Sequence, residues 1–368
     1  MFVLGIESSC DECSAAIVED GKKILSNVVA TQIPFHAAYN GVVPEIASRK
    51  HIEWINAVVS KALSDAALSV EDIQAVAASA EPGLLGSLLV GLCFAKGFAW
   101  ARKLPFIAVN HMLAHLYASK LEPANAETAS PPPEYPFLGL LVSGGHSIIA
   151  RVDDFDDITV LGTTVDDAVG EAFDKVAKFY EIGYPGGLVI DKLAQKGDAK
   201  AYHFPLPEIR ASRYDVSYSG LKTAVTREPW KFTNAYNPPP AYNNTPPLAG
   251  RVGGGVAGRA ALNSTDLANL AASFQKTAID ILIRSLLRAV EDTGLRTIVA
   301  GGGVAANSYL RSELARHSDI RCIFPPLPLC GDNGAMVAGI AYQYLQRGET
   351  SPLSLTASAR VAGYKHRH

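Results

Sequence analysis

The sequence is poor in charge. Asp, Glu, Lys and Arg make up 19 % of its 368 residues, and 33 basic against 36 acidic side chains leave a net charge of −3. No bulk positive field therefore draws the chain to nucleic acid or to an acidic membrane, so any such partner must meet a local patch. Cysteine is scarce as well: five residues, an odd number in a long chain, argue against a disulfide framework and for a reducing compartment. No apolar run is long enough to cross a bilayer, because the longest, Leu84 to Ala95, stops at Lys96, short of roughly 18–20 residues. Met1 to Glu7 has no basic region and meets a charge within seven residues, so it reads as a first strand rather than a signal peptide. A cytoplasmic chain with no membrane contact is expected. What the sequence does hold is 48 % hydrophobic residues, enough for a sizeable core, and at about 150 residues per domain its length implies about two domains.

The pattern repeats. Phe2 to Ile6, Ser14 to Val18 and Ile24 to Val29 alternate with the polar clusters Ser8 to Glu12 and Asp20-Gly21, which predicts a three-stranded meander. Pro44 opens an amphipathic helix with Ile46, Ile52, Ile55, Val58, Val59 and Leu63 at helical spacing. A strand from Ile73 to Ala78, a buried helix from Leu84 to Arg102, a strand from Phe106 to Val109 and a helix from His111 follow. Beyond the Pro-rich stretch Pro123 to Pro136 the same grammar restarts, with Phe137 to Val142, Ser147 to Val152 and Ile158 to Leu161 as a second meander. Helices, a strand from Thr297 to Ala300, a helix from about Asn307, a strand from Arg321 to Phe324 and a helix from about Asp332 complete it. This α/β duplication predicts two lobes related by a pseudo-dyad around a central cleft. The N-terminal lobe is expected over 1–120, completed by a C-terminal helix at about 333–347, and the C-terminal lobe over 137–332, leaving a tail, 348–368. Ligands belong where the carboxyl ends of the two sheets face each other. From Glu228 to Ala261 the proline and glycine runs break the pattern and predict a mobile surface insertion.

Residues able to do chemistry recur at matching places. His111 and His115 stand one helical turn apart on one face, a spacing that suits chelation of one divalent metal. Asp332 follows the last strand of the second repeat as His111 follows that of the first, so the duplication brings it into the same cleft as a third ligand. The spacing also resembles the zincin His-Glu-x-x-His, but Met112 stands at the Glu position and a thioether cannot act as general base. Leu141-Val142-Ser143-Gly144-Gly145 ends a strand in a turn whose backbone N–H groups can approach a phosphate or carbonyl oxygen closely. Gly301-Gly302-Gly303 repeats the device, with Asn307 near a helix start able to reach a ribose or base. Asp174, and Asp191 beyond the Pro185-Gly186-Gly187 turn, add carboxylates suited to ribose hydroxyls. Asp11, at the first turn of repeat one, could take a proton, bind a metal ion or serve as an ordinary turn residue, and His146, at its counterpart in repeat two, is the other catalytic candidate. Cys10 and Cys13 have no second pair at zinc spacing and read as strand-end residues.

In their order along the chain, Gly5 to Glu12, Gly41 to Glu45, Pro82 to Leu84, His111 to His115, Val142 to His146, Gly170 to Lys175, Ser217 to Thr223, Gly302 to Asn307 and Asp332 to Met336 resemble the bacterial TsaD family. The departures are the insertion and Leu113, where many members carry Glu. The resemblance implies an ASKHA fold, the actin, heat-shock-ATPase and sugar-kinase architecture of two ribonuclease-H-like lobes. It implies transfer of a threonylcarbamoyl group from threonylcarbamoyl-AMP to the exocyclic amine of the adenosine beside the anticodon of tRNA, releasing AMP. By motif matching the metal ligands are His111, His115 and Asp332, with Fe(II) favoured and Zn(II) the alternative. Adenine-nucleotide contacts fall on Leu141 to Gly145, Asp174, Gly187, Asp191 and Asn307. The implied partners are tRNA, a TsaB-like paralogue and a TsaE-like ATPase. A small-molecule kinase of the same fold, or a nucleotide-dependent scaffold, is the alternative function.

Because Lys222 and Thr223 before the insertion and Leu267 to Ile281 after it carry the helical pattern, deleting Glu228 to Ala261 with a short Gly/Ser linker is expected to change thermal stability little. Loss of solubility or of nucleotide affinity in that variant, measured by calorimetric titration with AMP, would show instead that the stretch packs on the lobe.

Overall fold

A computed structural model describes residues 1–39, 41–123, 132–207, 209, 212–227, 229, 263–360 and 365–366. The insertion expected at 228–261 lies outside the described residues apart from Pro229.

The first half folds as β1 (Phe2–Glu7), β2 (Glu12–Glu19), β3 (Lys23–Thr31), α1 (Ile33–His36), α2 (Pro44–Asp65), β4 (Ala75–Glu81), α3 (Leu85–Arg102), β5 (Phe106–Asn110), α4 (His111–Tyr117) and β6 (Glu122–Pro123). The second runs β7 (Phe137–Val142), β8 (Ser147–Val152), β9 (Ile158–Thr163), α5 (Val169–Tyr180), α6 (Gly186–Ala194), α7 (Ser219–Arg227), α8 (Ser264–Thr293), β10 (Thr297–Gly301), α9 (Ser308–Leu314), β11 (Arg321–Ile323), α10 (Gly334–Gln346) and β12 (Lys365–His366). The sheets are ordered β5-β4-β1-β2-β3-β6 and β11-β10-β7-β8-β9-β12. Each is an antiparallel meander extended on its first-strand side by two parallel strands, so the repeat legible in the sequence is a repeat of topology.

Boundaries shift where side chains take over from periodicity. Ile73 is not in a strand, because Ser69 and Asp72 close a capping box with bonds of 2.8 and 2.7 Å and the chain is still turning there. The helices expected from Asn307 and Asp332 start at Ser308 and Gly334, since Asn307 and Asn333 are N-caps whose side-chain oxygens accept from the Leu310 and Met336 amides.

A middle core cluster joins the two sheets. It contains Val3, Ala16 and Ile107 from the first, Leu141, Ile148 and Val299 from the second, and most of α4 and α10. All seven residues of α4 are buried. The C-terminal helix α10 returns to lie on the first sheet, and there glycine is required on both sides of the contact. A Cβ on Gly5 would sit 2.3 Å from the Gly334 carbonyl oxygen, and one on Gly334 would sit 2.7 Å from that of Gly5. The stretch after α10, set apart above as a tail, runs back along the first sheet: the Ser351 amide donates to Phe106 O at 2.8 Å and the Ser358 amide to Ala80 O at 2.9 Å.

The contact between Gly5 and α10 yields a clean test. Gly5→Ala drives a methyl into helix backbone that cannot rotate away and destabilises by about 2–4 kcal/mol, whereas Gly97→Ala, with nothing within 4 Å of the new methyl, costs nothing measurable. Equal urea midpoints for the two variants would contradict this packing.

Candidate metal and nucleotide site

The Asn110 side chain caps α4, accepting from the Met112 and Leu113 amides at 2.9 and 3.2 Å. It thereby starts the helix at His111 and sets the rotation that puts His111 and His115 on one face. Asp332 arrives from the loop before α10, which the Asn333 side chain folds by donating to Gly331 O at 2.8 Å. The imidazole Nε2 atoms lie 3.1 Å apart, His115 Nε2 lies 3.1 Å from Asp332 Oδ1, and His111 Nε2 lies 3.5 Å from the same oxygen. One ion with bonds of about 2.0–2.2 Å holds its ligand atoms roughly 3.0–3.5 Å apart, so the triad fits a single divalent metal.

The other side of His111 is set by a residue the sequence reading did not single out. Glu7, fully buried at the end of β1, accepts from His111 Nδ1 at 2.9 Å and from the Ser79 hydroxyl on Oε2, and from the Ser9 amide at 2.6 Å on Oε1. A proton held at Nδ1 leaves the Nε2 lone pair aimed at the triad, the arrangement by which a carboxylate orients a metal-binding histidine. The available signal was a lone acid closing an otherwise apolar strand.

Electrostatics follow the same geometry. Burial opposes charge on His111, but the Glu7 and Asp332 carboxylates override it and raise its pKa to about 9. Burial and the charge of His111 push His115 down. Burial also disfavours ionised Asp332, yet His111 and the hydrogen bond from His115 bring it to about 2. His115 Nδ1 is buried without a hydrogen-bond partner among the described residues.

The triad opens into a cavity of about 680 Å³ lined by Ser143 to His146, Asp174, Gly187, Asp191, Asn307, Asp11, His111 and Asp332 among others. The turn after β7 is closed by the Ser143 amide donating to His146 O at 2.8 Å, and neither Gly144 nor Gly145 has an atom within 4 Å of where a Cβ would point. Gly170, in the first turn of α5, approaches the Ser143 carbonyl so closely that a Cβ would lie 2.5 Å from it. The positive end of that helix therefore faces the turn. Asp174 accepts from the Gly186 amide at 2.6 Å. Burial, with Asp11 and Glu171 nearby, raises its carboxyl to about 6. Asp191 accepts from the Ser308 hydroxyl at 2.6 Å and ties α6 to α9. Asn307, besides capping α9, donates to Gln275 at 3.1 Å. His146, half-buried, is pushed down by burial and by the nearby His111 and His115.

Leu141 and Val142 close β7 just before the glycine turn. Both are fully buried inside β7, in the core clusters on its two faces, and neither lines the cavity. A central strand covered on both faces has no side chain to spare for a ligand. A Cβ on Gly302, at φ +93°, would collide with the Val142 carbonyl, so glycine is required beside this strand end. Cys10 and Cys13 are free thiols. The cavity walls also include Ile33, Gly41, Val42, Tyr184, Leu188 and Ala359, none of which was a candidate site residue. Six carboxylates (Asp11, Glu12, Glu171, Asp174, Asp191 and Asp332) line it, with no Lys or Arg among the described lining residues.

The sequence profile of the family described as "TsaD: tRNA N6-adenosine threonylcarbamoyltransferase" matches residues 23–339. A protein of that name from Treponema denticola is 59 % identical over 99 % of this chain and 98 % of its own length. One from Treponema pallidum is 51 % identical over 100 % and 95 %, and one from Borrelia hermsii 46 % over 100 % and 98 %. In fold, the chain is similar to full-length HypF in its phosphate- and nucleotide-bound form, with TM-score 0.56 and 13 % identity over 95 % of this chain and 47 % of that one. HypF from T. kodakarensis gives TM-score 0.56 at 12 % identity, over 94 % and 48 %.

Two outcomes follow from this geometry. His115→Ala loses stoichiometric metal and Glu7→Gln binds it about 10–100-fold more weakly, by elemental analysis and competitive titration; wild-type metal content in His115→Ala would remove the triad. The second concerns pH. Asp174 titrates near 6 when folded and near its ordinary 3.8 when unfolded, so its ionisation destabilises the folded state fully above about pH 6 and not at all below about pH 4. Asp174→Asn, which can still accept from Gly186, is therefore more stable than wild type at pH 7, with the difference vanishing toward pH 4; a constant difference in urea unfolding across that range would contradict the assignment.

Proposed function

The chain belongs to the TsaD family, the tRNA N6-adenosine threonylcarbamoyltransferases, and from that premise we propose how its cavity carries out the transfer. The activity is that of an acyltransferase that modifies tRNA, forming t6A.

The donor is threonylcarbamoyl-AMP, whose anionic phosphate meets the Gly144 and Gly145 backbone amides and the N-terminus of α5. Asp174, Gly187, Asp191 and Asn307 flank the ribose and adenine. The wall, rich in carboxyl groups and lacking Lys and Arg among its described residues, offers that phosphate little positive charge beyond His111, and the clustering of His111, His115 and Asp332 at a spacing fit for a cation is the observation that carries the reading. His111, His115 and Asp332 would hold a divalent metal, Fe(II) by family resemblance, which would supply positive charge to the reacting donor. The N6 amine of adenosine-37, in tRNAs reading ANN codons, attacks the carbamoyl carbonyl. A C–N bond forms, the bond from that carbon to the phosphate oxygen breaks, and AMP departs with the electron pair. The amine proton passes to His146, whose pKa is lowered by burial and by the neighbouring His111 and His115, or to Asp11 at the facing turn.

Neither alternative is favoured. A kinase site would need Mg²⁺ on a γ-phosphate, and a centre with two imidazole ligands suits that ion poorly. Peptide hydrolysis would need a base where Met112 lies, 1 % exposed in the core. For partners, the exposed faces of α2 and α3, carrying Ile52, Leu85 and Leu89, are the docking surface we assign to a TsaB-like paralogue; a TsaE-like ATPase completes the set. The lobes are 1–120 with 333–347, and 137–332, and the setting is the cytoplasm.

The test is reconstitution of t6A from this chain, its partners, threonylcarbamoyl-AMP and unmodified tRNA, read by mass spectrometry of nucleosides. Gly144→Val sharpens it. Its side chain enters open space, so stability is expected to hold while AMP affinity falls at least tenfold. Wild-type AMP affinity in that variant would make the turn purely structural.

A further inference from the structure

The C-terminal segment Gly348 to Ala359 is bound to the first sheet along the edge that leads into the metal helix. The Ser351 amide donates to Phe106 O at 2.8 Å and its hydroxyl accepts from the Ala108 amide at 2.9 Å, so one serine pairs with the outer edge of β5. The Lys96 ammonium donates to Leu355 O, and Leu355 and Ala357 pack on the first-sheet core. The Ser358 amide then donates to Ala80 O at 2.9 Å, and Ala359 ends the run in the cavity wall.

The residue after Ala80 connects this run to the metal ligands. The β4–β5 pairing shifts register between Ser79 and Glu81, and Glu81 Oε1 accepts from Asn110 Nδ2 at 3.2 Å. The other end of that amide is the cap that starts α4. The contacts therefore run without a gap from Ser358 through Ala80, Glu81 and Asn110 to His111.

We propose that Gly348 to Ala359 is a strap that positions the metal helix, with Ser358 and Glu81 as positioning residues acting through the Asn110 cap. This rests on the metal reading of His111, His115 and Asp332. A strap that merely covered a sheet edge would alter stability alone; one that seats α4 alters metal affinity.

The experiment is a Zn(II) titration against a chromophoric chelator, together with thermal unfolding, on the full chain. Its variants are Ser358→Pro, Glu81→Leu and Glu81→Gln, with a chain ending at Arg360 as control. Ser358→Pro removes the N–H to Ala80 and Glu81→Leu removes the acceptor for Asn110; each is expected to weaken Zn(II) binding about 10–100-fold. Glu81→Gln keeps an oxygen for Asn110 and is expected to bind like wild type, as is the chain ending at Arg360. Should Ser358→Pro fail to fold, the Glu81 pair decides. Wild-type Zn(II) affinity in a folded Glu81→Leu overturns the strap while leaving the metal site intact. A wild-type chain that binds no Zn(II) overturns both.

Discussion

Everything at the centre of this molecule depends on bringing two imidazoles on one short helix against a carboxylate 217 positions away. That meeting is enforced by packing rather than by the polar groups themselves. Helix α4 is buried along its whole length between the two sheets, and α10, whose preceding loop carries Asp332, is held on the first sheet by backbone contact at Gly5 and Gly334. Burying such groups unpaired would be costly. Glu7 on one side and Asp332 on the other answer that cost for His111, and the facing Nε2 atoms lie where a metal ion could be held.

The same constraint explains the charge of the cavity. A wall with six carboxylates and no described Lys or Arg is a poor receptor for an anionic adenylate taken by itself. It becomes a selective one when a cation sits at the triad and backbone amides of a glycine turn, which carry dipoles but no net charge, face the phosphate.

Much of this was legible in the sequence because it is local or repeated. Phe137 to Val142 and Ser147 to Val152 are strands with the expected ends. The spacing of His111 and His115 is a one-turn signal, and the duplication supplied the argument for Asp332. Glu7 was not legible, because its role depends on a partner 104 positions away. The burial of the Leu141 and Val142 side chains was not legible, because an apolar strand end next to a glycine turn looks the same whether its side chains face a ligand or two cores. The segment after Gly348 was read as a tail because its anchors are mainly backbone groups and single serines, which leave no periodic trace. Asp174 and Asp191 were recognised as cavity acids, but their bonds to Gly186 and Ser308 depend on loop geometry that residue type does not encode.

The central claim is that one divalent ion is held in this cavity by two imidazoles and one carboxylate. X-ray absorption fine structure on the Fe(II)-loaded protein tests it most directly, since it counts imidazole scatterers and separates nitrogen and oxygen from sulfur. The account predicts a shell of nitrogen and oxygen at about 2.0–2.2 Å containing two imidazoles, with a change in that shell when AMP is added. A sulfur scatterer, which would draw in Cys10, or a shell with fewer than two imidazoles, would contradict it.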